Sequence, residues 1–163
     1  MRLFLFDVLG DRKMIWKRAL DLETLNAGNT KLTAEIGLEF IAFDEQSVTA
    51  RFPVNEKTCQ PYGVLHGGVS CLVAETMGSV AGNLAVDEGG TVFGVEINAS
   101  HLAKADAGFV TGNCRAIRIG RCLQVWEIQF QDESGQLICV SRLTVVVRKV
   151  AAPMSQVSDV RPS

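Results

Sequence analysis

The sequence predicts a single α+β domain in which one long hydrophobic helix packs against a curved antiparallel β-sheet. Two observations carry this prediction. A stretch with helical spacing covers residues 66–80, and four β-rich segments separated by turn residues follow it. The chain has 163 residues, 47% of them hydrophobic, which is enough for one domain with a buried core.

The other elements follow from apolar patterning and turn chemistry. We expect a short helix at Leu22–Ala27 and two paired strands, at residues 36–43 and 48–52, joined through residues 44–46. After the long helix, the Asp-Glu-Gly-Gly turn at residues 87–90 introduces four more strands. These are expected at residues 92–102, 109–117, 123–131 and 137–147. Consecutive strands that hairpins can join predict an antiparallel sheet.

The long helix carries an unusual carboxylate. Its apolar side chains recur on one face, formed by Val69, Val73, Met77, Val80 and Leu84. The opposite face gathers Gly68, Glu75, Gly78, Ser79 and Gly82. Because glycine costs about 1 kcal/mol relative to alanine inside a helix, three of them predict a close approach to the backbone. Glu75 has no Lys or Arg within four residues. Burial of its carboxylate would cost free energy, which a partner or a catalytic role would have to justify. In the alternative to a functional role, the glycines only permit tight packing, and Glu75 lies at a solvent-exposed edge of the helix.

The loop before the helix delivers polar groups to its start. Residues 60–68 are Gln-Pro-Tyr-Gly-Val-Leu-His-Gly-Gly, so an amide, an imidazole and unhindered backbone N–H groups come together there. Helix N-termini present unpaired N–H donors and the positive end of the helix dipole, which suits a developing oxyanion. This loop therefore favours a catalytic role for Glu75.

Residues 60–79, together with residues 94–101, resemble the hotdog-fold acyl-CoA thioesterases. The shared motif is Gln60, then His66 with Gly67 and Gly68, then a helical glutamate followed four residues later by Ser or Thr. The similarity is greatest to the 1,4-dihydroxy-2-naphthoyl-CoA hydrolases of quinone biosynthesis and to the proofreading thioesterases of enterobactin synthesis. It extends from about residue 14 to residue 148. It implies the hotdog fold, in which the curved sheet wraps the long central helix.

The resemblance also implies roles for the motif residues. Glu75 is the general base or the nucleophile of thioester hydrolysis, and the sequence does not distinguish the two. The Gly67 N–H polarises the thioester carbonyl, Gln60 helps to hold the thioester, and His66 donates a hydrogen bond to the carbonyl or the leaving thiolate. Ser79 orients the water or the carboxylate. A helix-capping role for His66, and a merely tolerated small residue at position 79, are the alternatives.

Further residues are expected to bind the substrate. Gly68 adds an unhindered N–H at the helix start, and the resemblance places His101 in the acyl pocket. Several relatives carry an arginine two residues after this histidine, where this chain has Ala103. The residues expected to bind the CoA phosphates are therefore Lys104, Arg118 and Arg121. In the alternative, each of them is simply a solvated charge on the protein surface.

Charge, cysteine content and motifs narrow the function classes. The net charge of −2 and the lack of a Lys/Arg-rich run argue against nucleic acid or a membrane as partners. Five cysteines without a C-x-x-C pair indicate reduced thiols in a cytoplasm. The two histidines form no metal-binding motif, and neither a G-x-S-x-G nor a G-x-G-x-x-G motif occurs. We therefore expect no metal and no cofactor, with CoA as part of the substrate.

These inferences predict an acyl-CoA thioesterase acting on an aromatic acyl group, with 1,4-dihydroxy-2-naphthoyl-CoA as the first candidate. A hotdog dehydratase or hydratase, and a non-catalytic acyl-CoA-binding protein, are the alternatives. Exposed sheet edges predict a homo-oligomer, a dimer of dimers with active sites shared between chains. We expect residues 14–150 to form the domain. Residues 1–13 are either an N-terminal extension or the product of a misassigned start, and residues 151–163 are expected to be a flexible tail.

Overall fold

The structure is a computed structural model that describes residues 13–29 and 31–149. Its helices are α1 (Leu22–Ala27), α2 (Lys31–Glu35) and α3 (Gly67–Leu84). Its strands are β1 (Glu39–Phe43), β2 (Ser47–Pro53), β3 (Gly90–His101), β4 (Phe109–Ile119), β5 (Leu123–Gln131) and β6 (Leu137–Lys149). The expected N-terminal extension, apart from Lys13, and the expected C-terminal tail lie outside the described residues and stay predictions.

The six strands form one sheet in the order β1-β2-β4-β5-β6-β3, and all neighbours are antiparallel. The predicted antiparallel sheet is thus confirmed, but the expectation that a hairpin joins β3 and β4 is wrong, because these strands are not neighbours in the sheet. Residues 102–108 form a longer connection that is bonded to other segments and not to itself as in a tight turn. The Leu102 N–H donates to Ile138 O (2.8 Å), and Ala105 O accepts from the Leu65 N–H (2.7 Å). Among the described residues, strand β3 therefore pairs only with β6 and forms one edge of the sheet.

Helix α3 lies on one face of this sheet and supplies much of the core. Val73 and Met77 of the helix are fully buried, as are Trp126 and Phe130 of β5. Phe130 also packs edge-to-face on Phe52 of β2, with ring centroids 6.0 Å apart. The apolar face that the sequence predicted for the helix is therefore directed at the sheet.

Gly78 and Gly82 lie three and seven residues after Glu75, on the same side of α3, and they allow the close approach that the sequence predicted. A Cβ atom added to Gly78 would lie 2.5 Å from Leu143 Cδ2, and one added to Gly82 would lie 3.0 Å from Gln124 Oε1. These glycines let α3 approach the sheet closely, whereas Glu75 is exposed at the margin. The glycines of this face therefore pack tightly on the sheet, and the Glu75 carboxylate beside them is open to solvent.

The N-terminal half differs from the prediction in one element. Helix α2 was not predicted, because five residues are too few to show helical periodicity. Strand β1 begins at Glu39 and not at residue 36, since Gly37 adopts a φ of 72° in the turn after α2. The segment before α1 is packed as well, because Trp16 stacks on Trp126 with centroids 6.2 Å apart.

Candidate active site

Two backbone hydrogen bonds fix the loop that leads into α3. The His66 N–H donates to Thr58 O (2.8 Å), and the Leu65 N–H donates to Ala105 O (2.7 Å). Thr58 is fully buried, so this end of the loop is anchored in the protein interior. The start of α3 is thereby held beside the connection between β3 and β4.

The turn that carries Gln60 is tight. The Gly63 N–H donates to Gln60 O, and the Gln60 N–H donates to Val64 O, both at 2.9 Å. Gly63 has a φ of 76°, a left-handed conformation that glycine adopts without strain. This turn leaves Tyr62 exposed at its tip and holds Gln60 half-buried on the protein surface.

His66 caps the helix through its side chain. Its Nδ1 accepts a hydrogen bond from the Gly68 N–H at 2.8 Å, which confirms the helix-capping alternative. An accepting Nδ1 leaves the proton of the neutral ring on Nε2, so an exposed donor remains available. The Gly67 N–H, at the first helical position, has no acceptor among the described residues.

The imidazole of His101 lies directly over the start of α3. A Cβ atom added to Gly67 would lie 2.7 Å from His101 Nε2 and 2.9 Å from Cε1. His101 reaches this position from the end of β3, where its backbone pairs with Cys139 of β6. Gly67 therefore permits contact between the helix start and an edge strand that are 34 residues apart in the sequence.

A cavity of about 450 Å³ brings four of the predicted site residues together, namely Gln60, Gly67, His101 and Lys104. This volume is within the ordinary range for small-molecule sites. Polar and apolar groups contribute about equally to the wall, which is completed by Val64, Leu65, Ser70, Leu102, Ala103, Ala105, Ile138 and Cys139. Burial raises the pKa of the Cys139 thiol, so that this group is a neutral part of the wall.

Glu75 lines a different cavity, of about 250 Å³, together with Gly94, Val95, Glu96, Ile97 and Leu143. A Cβ atom added to Gly94 would lie 3.1 Å from Glu75 Oε1. The Glu75 carboxylate is exposed and takes part in no hydrogen bond or ion pair among the described residues. A single chain thus does not bring Glu75 into the cavity of Gln60 and Gly67.

Ser79 lies one helical turn after Glu75 and is half-buried. Its carbonyl oxygen accepts a hydrogen bond from Asn83 Nδ2 at 2.9 Å. Its hydroxyl has no hydrogen bond within residues 13–29 and 31–149 and remains available.

The basic residues separate into two regions. Lys104 pairs with Asp106 at 2.8 Å, a hydrogen bond and charge attraction that raise the pKa of the lysine and lower that of the aspartate. Arg118 lines a third cavity, of about 590 Å³, near the other end of β4, and Arg121 is exposed in the following turn. Because eleven extended residues span roughly 35 Å, one chain does not gather all three cations.

Other features of the described residues bear on the expected chemistry. All five cysteines are free thiols. Within residues 13–29 and 31–149, no cluster of three His, Cys, Asp or Glu side chains has the arrangement of a metal site. No helix in the same part of the chain combines the length and hydropathy needed to span a bilayer.

Sequence reasoning assigned no role to two residues that the structure brings to these cavities. Ser70 follows Gly67 by three residues, a spacing that places two side chains on neighbouring parts of a helix. That spacing could have indicated from the sequence that Ser70 lies near Gly67. Gly94 contacts Glu75 only because β3 packs beside α3, so nothing local in the sequence indicated it.

Comparison with known proteins identifies the family. The thioesterase superfamily matches over residues 62–139. The 1,4-dihydroxy-2-naphthoyl-CoA hydrolase of Escherichia coli K12 is 43% identical over 135 residues, which are 82% of this chain and 99% of that protein. The proofreading thioesterase EntH of Cronobacter turicensis is 44% identical over 135 residues, covering 82% and 98% of the two chains.

A solved structure agrees with this assignment. The crystal structure of a thioesterase from Haemophilus influenzae superposes with a TM-score of 0.83 at 44% sequence identity, covering 87% of this chain and 100% of the other. The resemblance inferred from the motif around His66 and Glu75 is confirmed. The chain therefore belongs to the thioesterase superfamily and is an enzyme with the hotdog fold.

Proposed function

We propose that this enzyme hydrolyses an aromatic acyl-CoA thioester to the free acid and CoA, with Glu75 as general base or nucleophile. The substrate we name first is 1,4-dihydroxy-2-naphthoyl-CoA, which would give the enzyme a place in menaquinone or phylloquinone synthesis in the cytoplasm. Support comes from the E. coli relative with that name, which aligns over 99% of its own length.

The carbonyl oxygen of the thioester binds at the start of α3. The unpaired Gly67 N–H and the positive end of the helix dipole stabilise the negative charge that develops on this oxygen. His66 contributes Nε2–H as a second donor, because its Nδ1 is occupied by the Gly68 N–H. Loss of one such donor in other hydrolases costs roughly 3 kcal/mol in the barrier.

The active site is completed by a second copy of the chain. The observation that carries this step is that Gln60 and Gly67 line one cavity while Glu75 lines another, beside the edge strand β3. This edge exposes Phe93 and Val95, which are 58% and 57% accessible, and no other strand of the described residues pairs with it. Pairing of two copies at β3 covers that edge and supports a dimer, two of which form the tetramer.

Glu75 performs the first chemical step in one of two ways. As a general base, it removes a proton from water while the water oxygen attacks the carbonyl carbon, and Ser79 orients the water or the carboxylate. As a nucleophile, a carboxylate oxygen attacks the same carbon to form an anhydride, which water then hydrolyses. In both cases the C–S bond breaks, its electron pair moves to sulfur, and the CoA thiolate leaves.

The exposed Lys104 marks the mouth of the cavity and would bind a CoA phosphate there. For this contact, the ion pair between Lys104 and Asp106 must open or be shared. Opening it costs little free energy, because both side chains are exposed and such ion pairs are weak. For Arg118 and Arg121, a contact with CoA requires that they come from another chain of the assembly.

Thiol release from an acyl-CoA panel tests the proposal. We expect turnover of 1,4-dihydroxy-2-naphthoyl-CoA and benzoyl-CoA, little turnover of saturated alkanoyl-CoA, and no hydration of an enoyl-CoA. Glu75→Gln is nearly isosteric, so it should fold normally and lose at least about two orders of magnitude in kcat. Near-normal turnover by folded Glu75→Gln, or enoyl hydration in place of thiol release, would contradict the proposal.

A further inference from the structure

The cavity that contains Gln60 and Gly67 is also lined by Ser70, whose hydroxyl has no hydrogen-bond partner among the described residues. Ser70 is only 1% exposed and lies one turn into α3. Its Oγ takes part in no hydrogen bond within residues 13–29 and 31–149. By contrast, the Thr76 hydroxyl on the same helix donates to Leu72 O at 2.9 Å. The Ser70 side chain lines the cavity, so its hydroxyl is available to form a hydrogen bond with a bound ligand.

Ser70 lines the most buried part of this cavity, which we call its closed end. The open end is marked by Lys104, which is exposed, whereas Ser70, Ile138 and Cys139 are at most 2% exposed. Charged phosphates remain at the open end because their desolvation is expensive. The acyl group therefore occupies the closed end.

The spacing along α3 relates Ser70 to the reacting carbonyl. Gly67 and Ser70 are three residues apart, so they are neighbours on the helix surface, about one turn or 5 Å apart along the axis. A carbonyl bound at the Gly67 N–H thus leaves the first ring of an aryl group beside Ser70. A ring substituent, and not the scissile bond, meets the hydroxyl.

The neighbouring polar groups do not satisfy Ser70. The Cys139 sulfur lies 3.7 Å from the Ser141 hydroxyl, and its raised pKa keeps it a protonated thiol, which is a weak hydrogen-bonding group. The remaining residues around the closed end, Val64, Leu65, Ala105 and Ile138, are apolar. Ser70 is therefore available to a polar substituent on the acyl group in this part of the cavity.

We propose that Ser70 selects aryl groups that carry a ring hydroxyl, with which its own hydroxyl forms a hydrogen bond at the closed end of the cavity. The inference rests on the proposed function and specifies its substrate class. A site built to pair with a substrate hydroxyl disfavours the analogue that lacks it, because the buried group of the protein is then left unpaired. Ser70 thus determines specificity and does not take part in bond breaking.

The test compares benzoyl-CoA with its 2-, 3- and 4-hydroxy derivatives in the wild type and in Ser70→Ala. We expect wild-type kcat/KM to be higher by about tenfold or more for at least one hydroxylated isomer. In Ser70→Ala that preference should fall to within about twofold, because kcat/KM falls for the hydroxylated isomer and much less for benzoyl-CoA. Ser134→Ala, in the exposed turn between β5 and β6, is the matched control and should keep the wild-type ratio.

Each outcome separates the two proposals. Thiol release with the same isomer ratio in wild type and Ser70→Ala, or an equal loss for all substrates, overturns the role of Ser70 and leaves the thioesterase proposal intact. No thiol release from any aryl-CoA overturns the proposed function itself. If Ser70→Ala does not fold, inhibition of the wild type by benzoate and by the three hydroxybenzoates is measured instead. Equal inhibition by all four acids overturns the inference.

Discussion

The carboxylate of Glu75 lies against the backbone of Gly94, where an added Cβ atom would be 3.1 Å from Glu75 Oε1. This contact joins α3 to the edge strand β3. The register of β3 against β6 shifts between Gly94 and Glu96, so the contact coincides with a β-bulge. Bulges often occur beside active sites, where they redirect side chains. The space that Gly94 leaves therefore sets the position of Glu75.

Gly94→Ala should move the Glu75 carboxylate by a few tenths of an ångström and lower kcat by about tenfold, since small displacements of a catalytic group cost large factors in rate. Thiol release and the melting temperature would be measured together, with Gly28→Ala as a control, because its Cβ meets only ordinary contacts at 3.4 Å and beyond. In a Glu75→Gln background, Gly94→Ala should cause no further loss. A further loss there would show that Gly94 acts independently of Glu75.

Gly67→Ala should disturb His101 as well as the carbonyl site. The added methyl group would lie 2.7 Å from Nε2, a distance that requires the imidazole to move. We expect lower turnover and a melting temperature lower by several degrees. The double variant Gly67→Ala/His101→Ala removes the clash and should regain most of that stability, though not the activity. A double variant no more stable than Gly67→Ala would place the defect in the helix start itself.

Local patterns predicted most of the fold, because a long helix and regular strands are encoded in short periodicities. The bounds of β5 match the prediction at both ends. The pairing of β3 with β6 was missed, because it depends on the loop contacts of Leu65 and Leu102 with distant residues. The sequence left open whether Gly78 and Gly82 pack on the sheet, since helical spacing does not show how far the sheet extends around a helix.

The candidate site was predictable where a motif carried it. Gln60, Gly67, His101 and Lys104 meet at one cavity, as the resemblance implied for the first three. Ser70 is not part of that motif, and although its spacing from Gly67 was an indication, the fold is needed to show that it lines the cavity. Unpaired polar groups are properties of packing, and the sequence of one chain does not contain them explicitly.

Asp44 should make stability dependent on pH. Its carboxylate accepts hydrogen bonds from the backbone N–H groups of Gln46 and Ser47, both at 2.7 Å, and from the Ser47 hydroxyl at 2.9 Å. Partial burial alone would raise the pKa of Asp44, but these hydrogen bonds and the charge of Arg115 lower it below 3.8. The stabilisation is therefore fully present above the unfolded pKa and is lost as the pH falls through the lower folded value.

Urea unfolding of wild type and Asp44→Asn checks this prediction. At pH 7 the variant should have the lower midpoint, because it loses charge-assisted acceptance by the turn. The difference in midpoint should shrink as the pH falls below about 4, where the unfolded carboxyl becomes protonated. A difference that is constant from pH 7 to pH 2.5 would show that the two side chains differ through packing and not through charge.

The shared active site predicts that two inactive chains restore activity when mixed. One chain carries Glu75→Gln. The other carries Gln60→Ala with His66→Asn, because asparagine is a good N-cap and replaces the imidazole without leaving the Gly68 N–H unpaired. If Glu75 of one chain faces the Gly67 amide of the other, each hybrid dimer contains one site with all its native groups and one site with none of the three.

Random exchange of equal amounts gives half hybrid dimers, so the mixture should recover about a quarter of wild-type thiol release, since one site in two is native in each hybrid. Exchange would be followed by mass spectrometry of tagged chains, and the assembly by sedimentation. A mixture of Glu75→Gln with a chain carrying all three substitutions is the control, and it should stay inactive because every site lacks the carboxylate. No recovery despite demonstrated exchange, or full wild-type activity at monomer mass, would show that one chain contains the whole site.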